Sequence, residues 1–378
     1  MNMTRGMFFS LLLLISLMAS WFITGCEQPT LSELGYVTLE LDESGGNFSA
    51  DYFNIAVMNE LGFEKRTILE FSDVLPKSDF SWSPNGNQIA IIVGTSDNNC
   101  HLRILNTDGS GQAEIPNVAM VDHALHSASW SPDGTRVVFS KLNLQDPMGG
   151  YELWAVDSDG SNLTQLTSLG GWARAASWSP DGTKILFAYS PAPGNDGGGI
   201  VTIDNSGNNL TYIKASGNTA FYDSPAWSPD GQRIAYFAIV DHLSGEARLH
   251  VMDVNGTDLL SVDNLNVATY NFSNKNLLRP TWSPLGGKIA VVGIEENSSG
   301  ELYKGYIVSE NGAIATINLP QVMSMCWSPN GKKVAFDVMQ VNLSGQISSN
   351  IYTVNSSGTG LTRLTYDQAL CMLPSWKN

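Results

Sequence analysis

Three observations predict that this sequence folds as an all-β, seven-bladed β-propeller. Trp-Ser-Pro occurs six times, at Trp82, Trp130, Trp178, Trp227, Trp282 and Trp327, and a seventh tryptophan, Trp376, ends Pro374-Ser375-Trp376. Successive intervals are 48, 48, 49, 55, 45 and 49 residues, the length of one four-stranded blade with its loops. The segments between the tryptophans are β-branched and aromatic runs without a 3.6-residue apolar period. Glycine, at 36 of 378 residues, exceeds the usual share of about 7% and supplies the turns such a chain needs.

The N-terminus is set apart from this pattern. Arg5 is the one charged side chain among the first 25 residues, and an apolar run from Met7 to Ile23 ends in Ile23-Thr24-Gly25-Cys26. A positive start, a short apolar middle and small residues at the end make a secretory signal. Residues 1–25 are therefore expected to be a lipoprotein signal peptide, with Cys26 acylated as the new N-terminus. An uncleaved membrane anchor is the alternative. Residues 26–35 are expected to be a tether and residues 36–378 a single propeller domain.

Each repeat has a readable logic. In Ser-Pro-Asp-Gly, serine opens a type I turn, proline presets φ at the second position and glycine takes the fourth. The turn joins a first strand, A, ending in tryptophan, to a second, B, such as Arg136-Val137-Val138-Phe139. A variable loop leads to a third strand, C, as in Glu152-Leu153-Trp154-Ala155-Val156. The turn Asp157-Ser158-Asp159-Gly160 then leads into a fourth, D, ending Gln165-Leu166-Thr167. Ahead of Trp82, Tyr36–Leu41, Phe53–Met58 and Arg66–Leu69 read as B, C and D strands lacking an A strand. Leu373-Pro374-Ser375-Trp376 reads as an A strand lacking the other three. Pairing them completes a seventh blade and removes two open sheet edges. Six blades with a frayed N-terminal hairpin is the alternative.

The Trp-Ser-Pro-Asp-Gly repeats resemble those of the TolB-type, WD40-like propellers, and the resemblance covers the chain from about residue 36. It implies a β-propeller that serves as a partner-binding platform in the periplasm. Cys26 and its preceding residues resemble a bacterial lipobox, and Glu27 after the cysteine favours the outer membrane in a diderm host.

Composition narrows the function classes. Lys plus Arg is 20 against 36 Asp plus Glu, a formal charge of −16, which argues against a nucleic-acid partner. There is no Gly-x-Ser-x-Gly elbow and no glycine-rich phosphate loop. Asp157-Ser158-Asp159-Gly160 starts like a calcium loop, but Ser168 stands where a bidentate glutamate is required. His123 and His126, three apart on a strand, would face opposite sides and could not share a metal. After Cys26, three cysteines remain (Cys100, Cys326 and Cys371); buried free thiols are expected, with a Cys326–Cys371 bridge the alternative. No catalytic residue, metal or cofactor is assigned. The expected partners are envelope proteins or a peptide, with the membrane reached through acylated Cys26 and the chain a monomer.

Loop lengths locate the candidate site. The A–B and C–D turns are short and regular on one face, whereas the D–A and B–C loops on the other are long and differ between blades, as at Gln145–Gly150, Ser190–Gly199 and Glu295–Glu301. Binding concentrates on variable loops of a rigid scaffold. Asp79, His126, Arg174, Asp223 and Arg279 stand three or four residues ahead of a motif tryptophan, with Trp172 and Tyr222 nearby. They are expected to ring one mouth of the central channel as a ligand or peptide clamp. The alternative reading of these residues is a solvated rim. A carbohydrate-binding propeller or a lyase or hydrolase using His126 and Arg174 are the competing functions.

Overall fold

Each motif tryptophan ends the first strand of an antiparallel sheet, and each sheet is named here by that tryptophan. The structure, a computed structural model, describes residues 32–377 except 40–51, 73, 77, 79, 96–98, 121–127, 144–149, 192–197, 217–220, 242–245, 268–278, 298–299, 342–346 and 367–368. Residues 1–25, expected to be a signal peptide, and Cys26 lie outside the described residues.

The Trp82 sheet comprises Ser81–Trp82, Gln88–Thr95, Asn99–Asn106 and Gln112–Met120, with Val74–Pro76 added on Gln88–Thr95. The Trp130 sheet is Ser129–Trp130, Arg136–Leu142, Tyr151–Asp157 and Thr164–Gln165; the Trp178 sheet is Gly171–Trp178, Lys184–Pro191, Gly199–Asp204 and Thr211–Ala215. One parallel bridge, Tyr151 to Trp172, links these two. The Trp227 sheet is Phe221–Trp227, Arg233–Asp241, Glu246–Asp253 and Asp258–Asn266. The Trp282 sheet is Thr281–Trp282, Lys288–Asn297, Gly300–Ser309 and Ile314–Thr316. The Trp327 sheet is Val322–Trp327, Lys333–Val341, Ile347–Asn355 and Thr362–Arg363. In the Trp376 sheet the last strand of the chain, Leu370–Trp376, pairs with the first, Glu33–Leu39, followed by Tyr52–Asn59 and Arg66–Ser72.

The core is divided into apolar clusters between successive sheets. Ala235, Phe237 and Leu249 pack with Trp282, Val291 and Val308, and Ile351 and Leu364 pack with Leu34, Met58 and Trp376. Phe53 and Ile55 of the Trp376 sheet pack in turn with Ile89 and Ile91 of the Trp82 sheet. Burying each leucine, isoleucine, valine, methionine or phenylalanine among them contributes roughly 1.5–3 kcal/mol.

Three repeated hydrogen-bond devices set the geometry. Within the A–B turn, Ser131 Oγ donates to Asp133 Oδ1 at 2.6 Å, and the same oxygen accepts the Thr135 N–H at 3.0 Å. Asn85 and Asn330 do the same work with Ser83 and Ser328. Between sheets, indole N–H groups reach the carbonyl preceding the previous tryptophan: Trp130 to Ser81 at 3.1 Å, Trp282 to Ala226 at 3.2 Å and Trp327 to Thr281 at 2.9 Å. On the turn face, among the described residues, the residue opening the B strand reaches the next sheet's C–D turn in five sheets. Gln88 donates to Ser158 O, Arg136 to Asn205 O, Lys288 to Ser356 O and Lys333 to Glu60 O. Arg233 instead pairs with the Glu310 carboxylate and lies 5.0 Å from the Trp282 ring centroid.

The structure corrects several expectations. The first strand begins at Glu33, so residues 33–35 belong to the sheet and not to the tether. Leu34 is fully buried opposite Trp376, and a Cβ on Gly35 would meet the Trp82 ring at 2.8 Å. Glu295–Glu301 is largely paired strand, because Glu295 accepts bonds from Lys304 and Tyr306 on the facing strand. The cysteines follow the expectation in part: no disulfide joins Cys100, Cys326 and Cys371, and Cys100 and Cys371 are buried, but Cys326 is only half-buried.

Candidate functional site

The two innermost strands Gly171–Trp178 and Phe221–Trp227 break register at the same place. The shift lies between Arg174 and Ser177 in one and between Asp223 and Ala226 in the other. At each break a non-glycine residue adopts the left-handed conformation: Ala175 at φ 56° and Ser224 at φ 52°. Leu373, the third residue before Trp376, repeats this at φ 51°. The left-handed region costs an L-residue roughly 1–2 kcal/mol, and such a bulge re-aims the side chain beside it. Here those side chains are Arg174 and Asp223.

They meet across the two sheets. An Arg174 guanidinium nitrogen lies 3.4 Å from Asp223 Oδ2 and also donates to Ser190 Oγ at 3.2 Å. The other Asp223 oxygen accepts the Ser224 N–H at 2.7 Å. The Asp223 side chain is 8% exposed and that of Arg174 24%, so the pair is shielded without being sealed. Around it, Arg174 Nε, Ser177 Oγ and Ser224 Oγ are buried without a hydrogen-bond partner among the described residues. Buried polar atoms are nearly always satisfied. Strained backbone residues cluster at ligand clamps and switch regions.

The entry to this strand is held from behind by a buried carboxylate. Glu152 accepts the N–H groups of Leu169 and Gly170 at 2.7 and 2.9 Å and the Thr167 hydroxyl at 2.6 Å. The Tyr189 hydroxyl donates to Leu169 O at 2.9 Å. Burial, then the nearby Tyr212 and Glu152 charges, pushes the Tyr189 hydroxyl above its ordinary pKa, so it stays a donor. Asn350 and Thr365 repeat the arrangement in the Trp327 sheet.

The remaining candidates separate. Trp172 packs half-buried against the inter-sheet cluster containing Val118, Phe139 and Tyr151. Tyr222 likewise turns inward, edge-on to the fully buried Tyr236 at 5.5 Å, with Lys214 Nζ 5.7 Å from its ring. Tyr222 and its neighbour Asp223 point to opposite faces, whereas Trp172 shares a strand face with Arg174 and is distinguished by the apolar area its ring can bury. Arg279 lies half-buried ahead of Thr281–Trp282. Asp79 and His126, with His123, lie outside the described residues. Sequence reasoning missed Ser190, Ser224 and Glu152. Glu152 had a signal, a charge inside an apolar C strand at the place where the Trp327 sheet has Asn350. Among the described residues, no group of three or more His, Cys, Asp or Glu is placed to hold a metal ion.

A second charged cluster lies between the Trp178 and Trp227 sheets. Lys214 Nζ contacts both Asp258 oxygens at 2.7 and 2.8 Å, and the Tyr236 hydroxyl donates to Asp258 Oδ1 at 2.7 Å. Burial first, then the bond to Asp258, raises the Tyr236 pKa well above normal. This cluster ties the two sheets together through the fourth strand of each and the second strand of the Trp227 sheet.

The family description TolB beta propeller domain matches residues 32–238. The chain belongs to this TolB β-propeller family. No curated protein matches it. Among solved structures, the TolB-family fold described above is similar to a puromycin hydrolase, at 14% identity and a TM-score of 0.60 over 88% of this chain and 52% of that one. It is also similar to an oligogalacturonate lyase in complex with manganese, at 14% identity and a TM-score of 0.59 over 80% of this chain and 82% of that one. TolB from Acinetobacter baumannii is 19% identical over 95% of this chain and 85% of its own, with a TM-score of 0.49. The chain spans about half of the hydrolase. These likenesses concern the fold.

Proposed function

We propose that this TolB-family chain is an exported, lipid-anchored, seven-bladed propeller that binds a protein or peptide partner in the bacterial cell envelope. TolB-type relatives are envelope proteins, and the apolar segment ending in Cys26 supports export and acylation. The seven-bladed closed reading is supported by the order of contacts between innermost strands. They run from Ser81–Trp82 through each tryptophan strand in turn to Leu370–Trp376, which packs back on Ser81–Trp82.

The observation that carries partner binding is the Arg174–Asp223 pair with its unsatisfied neighbours Arg174 Nε, Ser177 Oγ and Ser224 Oγ. Among the described residues, other buried polar atoms also lack a partner, but only here do three of them surround an ion pair beside two left-handed residues. The test is affinity capture from gently solubilised envelopes of the native host, comparing wild type with Ser177→Ala/Ser224→Ala and with Arg174→Ala. A discrete partner lost in both variants, with unchanged thermal stability in the serine variant, is the expected result. A partner retained by all three would overturn the placement. A small anionic ligand is the second reading, favoured by the same donors. It predicts saturable binding of that ligand by pure protein, abolished by Arg174→Ala.

A further inference from the structure

The turn face is acidic around most of its circumference, with Asp133, Asp157, Asp159, Asp181, Asp204 and Asp253 in its A–B and C–D turns. One corner differs. Where the first strand starts, Lys65, Arg66, Lys332, Lys333 and Lys377 gather against Glu33, Glu60 and Glu64, an excess of cations in a chain with 36 acids and 20 bases. The grouping is spatial as well as sequential. Glu33 pairs with both Arg66 and Lys377, at 2.6 and 2.9 Å, and Lys333 Nζ reaches Glu60 O at 3.3 Å.

Apolar side chains are exposed here as they are at Leu163, Leu210, Leu259 and Leu285 of other sheets, but this corner adds Phe63 and sets them among the excess cations. Phe63 is 66% and Leu61 52% exposed, both in the turn whose Asn59 pairs with Glu33. Leu361 of the neighbouring sheet is 47% exposed and stands three residues before Leu364, whose backbone packs beneath Gly62. Cationic side chains beside exposed leucine and phenylalanine are the composition that settles at a lipid headgroup boundary. Glu33 is seven residues from Cys26, a reach of at most about 25 Å when extended. An acylated Cys26 would keep this corner within that reach of the bilayer.

We propose that the corner formed by Leu61, Phe63, Lys65, Lys332 and Leu361 is a membrane-contact patch that seats the propeller on anionic lipid. The loop face, with the Arg174–Asp223 pair, then points away from the membrane, towards the partner. The proposal rests on the anchoring reading above.

The test uses the full chain purified with its lipid and reconstituted into phosphatidylcholine vesicles with or without phosphatidylglycerol. Flotation reports the anchor, and amide hydrogen exchange over residues 60–66, against the turn at 205–208, reports the patch. Several-fold slower exchange at 60–66 with phosphatidylglycerol is expected, and Phe63→Ser/Lys65→Glu/Lys332→Glu should abolish it while leaving exchange in the sheets unchanged. A chain that floats but exchanges equally at both turns would overturn the patch and leave the anchor standing. A chain that does not float would remove the anchor itself. Protection at 60–66 in native envelopes but not in protein-free vesicles would assign the corner to a protein and overturn the lipid reading.

Discussion

The indole N–H of Trp82 lies 3.1 Å from the carbonyl oxygen of Ser375, 293 residues further along the chain. It is the same bond that Trp130, Trp282 and Trp327 make to the sheet before them. The first complete repeat thus treats the end of the chain as its predecessor, and Lys377 completes the relation 5.6 Å from the Trp82 ring centroid.

Removing the chain after Thr365 should therefore abolish cooperative folding. Leu34 and Val37, both fully buried, would lose the strand that covers them, and Glu33–Leu39 would become an open edge. Trp82→Phe, which removes the bond but keeps most of the ring, should cost about 1 kcal/mol. Urea unfolding followed by tryptophan fluorescence distinguishes the two: a shifted midpoint for Trp82→Phe, no transition for the truncation. An intact transition in the truncated chain would refute the closing role of the last strand.

The A–B turns supply a pH prediction. The Ser179 hydroxyl, then the Thr183 N–H, holds the Asp181 carboxyl below its ordinary pKa of 3.8, and Ser131 and Thr135 do the same for Asp133. A carboxylate depressed in the folded state contributes stability that is fully present above its unfolded pKa and is lost as pH falls through the folded value. Asp181→Asn should behave like the natural Asn85 and Asn330, near neutral at pH 7, and should flatten the loss of stability below about pH 4. Asp181→Ala should cost about 1 kcal/mol at pH 7. Thermal melts of the three proteins between pH 7 and pH 3 check the signs.

Arg233→Ala should be the most damaging single change on the turn face. Arg233 holds the Glu310 carboxylate and the face of Trp282, the former worth about 0–1 kcal/mol at a surface and the latter about 0.5–1. Arg233→Lys should recover only part, because lysine loses the planar stacking. High salt should shrink the difference between Arg233→Ala and wild type, measured as denaturation midpoints. An unchanged difference would assign the effect to packing alone.

Ser224→Gly should stabilise the protein while weakening partner capture. The substitution relieves a left-handed serine, worth roughly 1–2 kcal/mol, and removes a buried hydroxyl that has no partner among the described residues. The greater freedom of glycine in the unfolded chain offsets about 0.5–1 kcal/mol of that. A net gain near 1 kcal/mol with reduced capture would mark Ser224 as a residue kept for binding. A loss of stability would show that the strain reading is wrong.

Much of the fold could be read directly, because each repeat announces itself locally. Trp130-Ser131-Pro132-Asp133-Gly134 contains its own turn hydrogen bonds within six residues. The site was only partly legible. Arg174 and Asp223 stand out by position, and the structure brings them together. Trp172 and Tyr222 look equally well placed in sequence but pack half-buried against the inter-sheet clusters. Ser224 and Ala175 carry no compositional mark at all, since the register breaks arise from pairing with the neighbouring strands.

What the sequence determined by itself is the repeating unit: a tryptophan strand, a serine-aspartate turn and three further strands, each specified by contacts a few residues apart. What only the tertiary structure decided is which residues meet between units: Arg174 with Asp223, Lys333 with Glu60, Trp82 with Ser375. Those contacts join residues 49, 273 and 293 positions apart. Turn chemistry acts over neighbouring residues and is written in the local alphabet. Contacts between sheets depend on how strands twist and pack, and no local pattern encodes that.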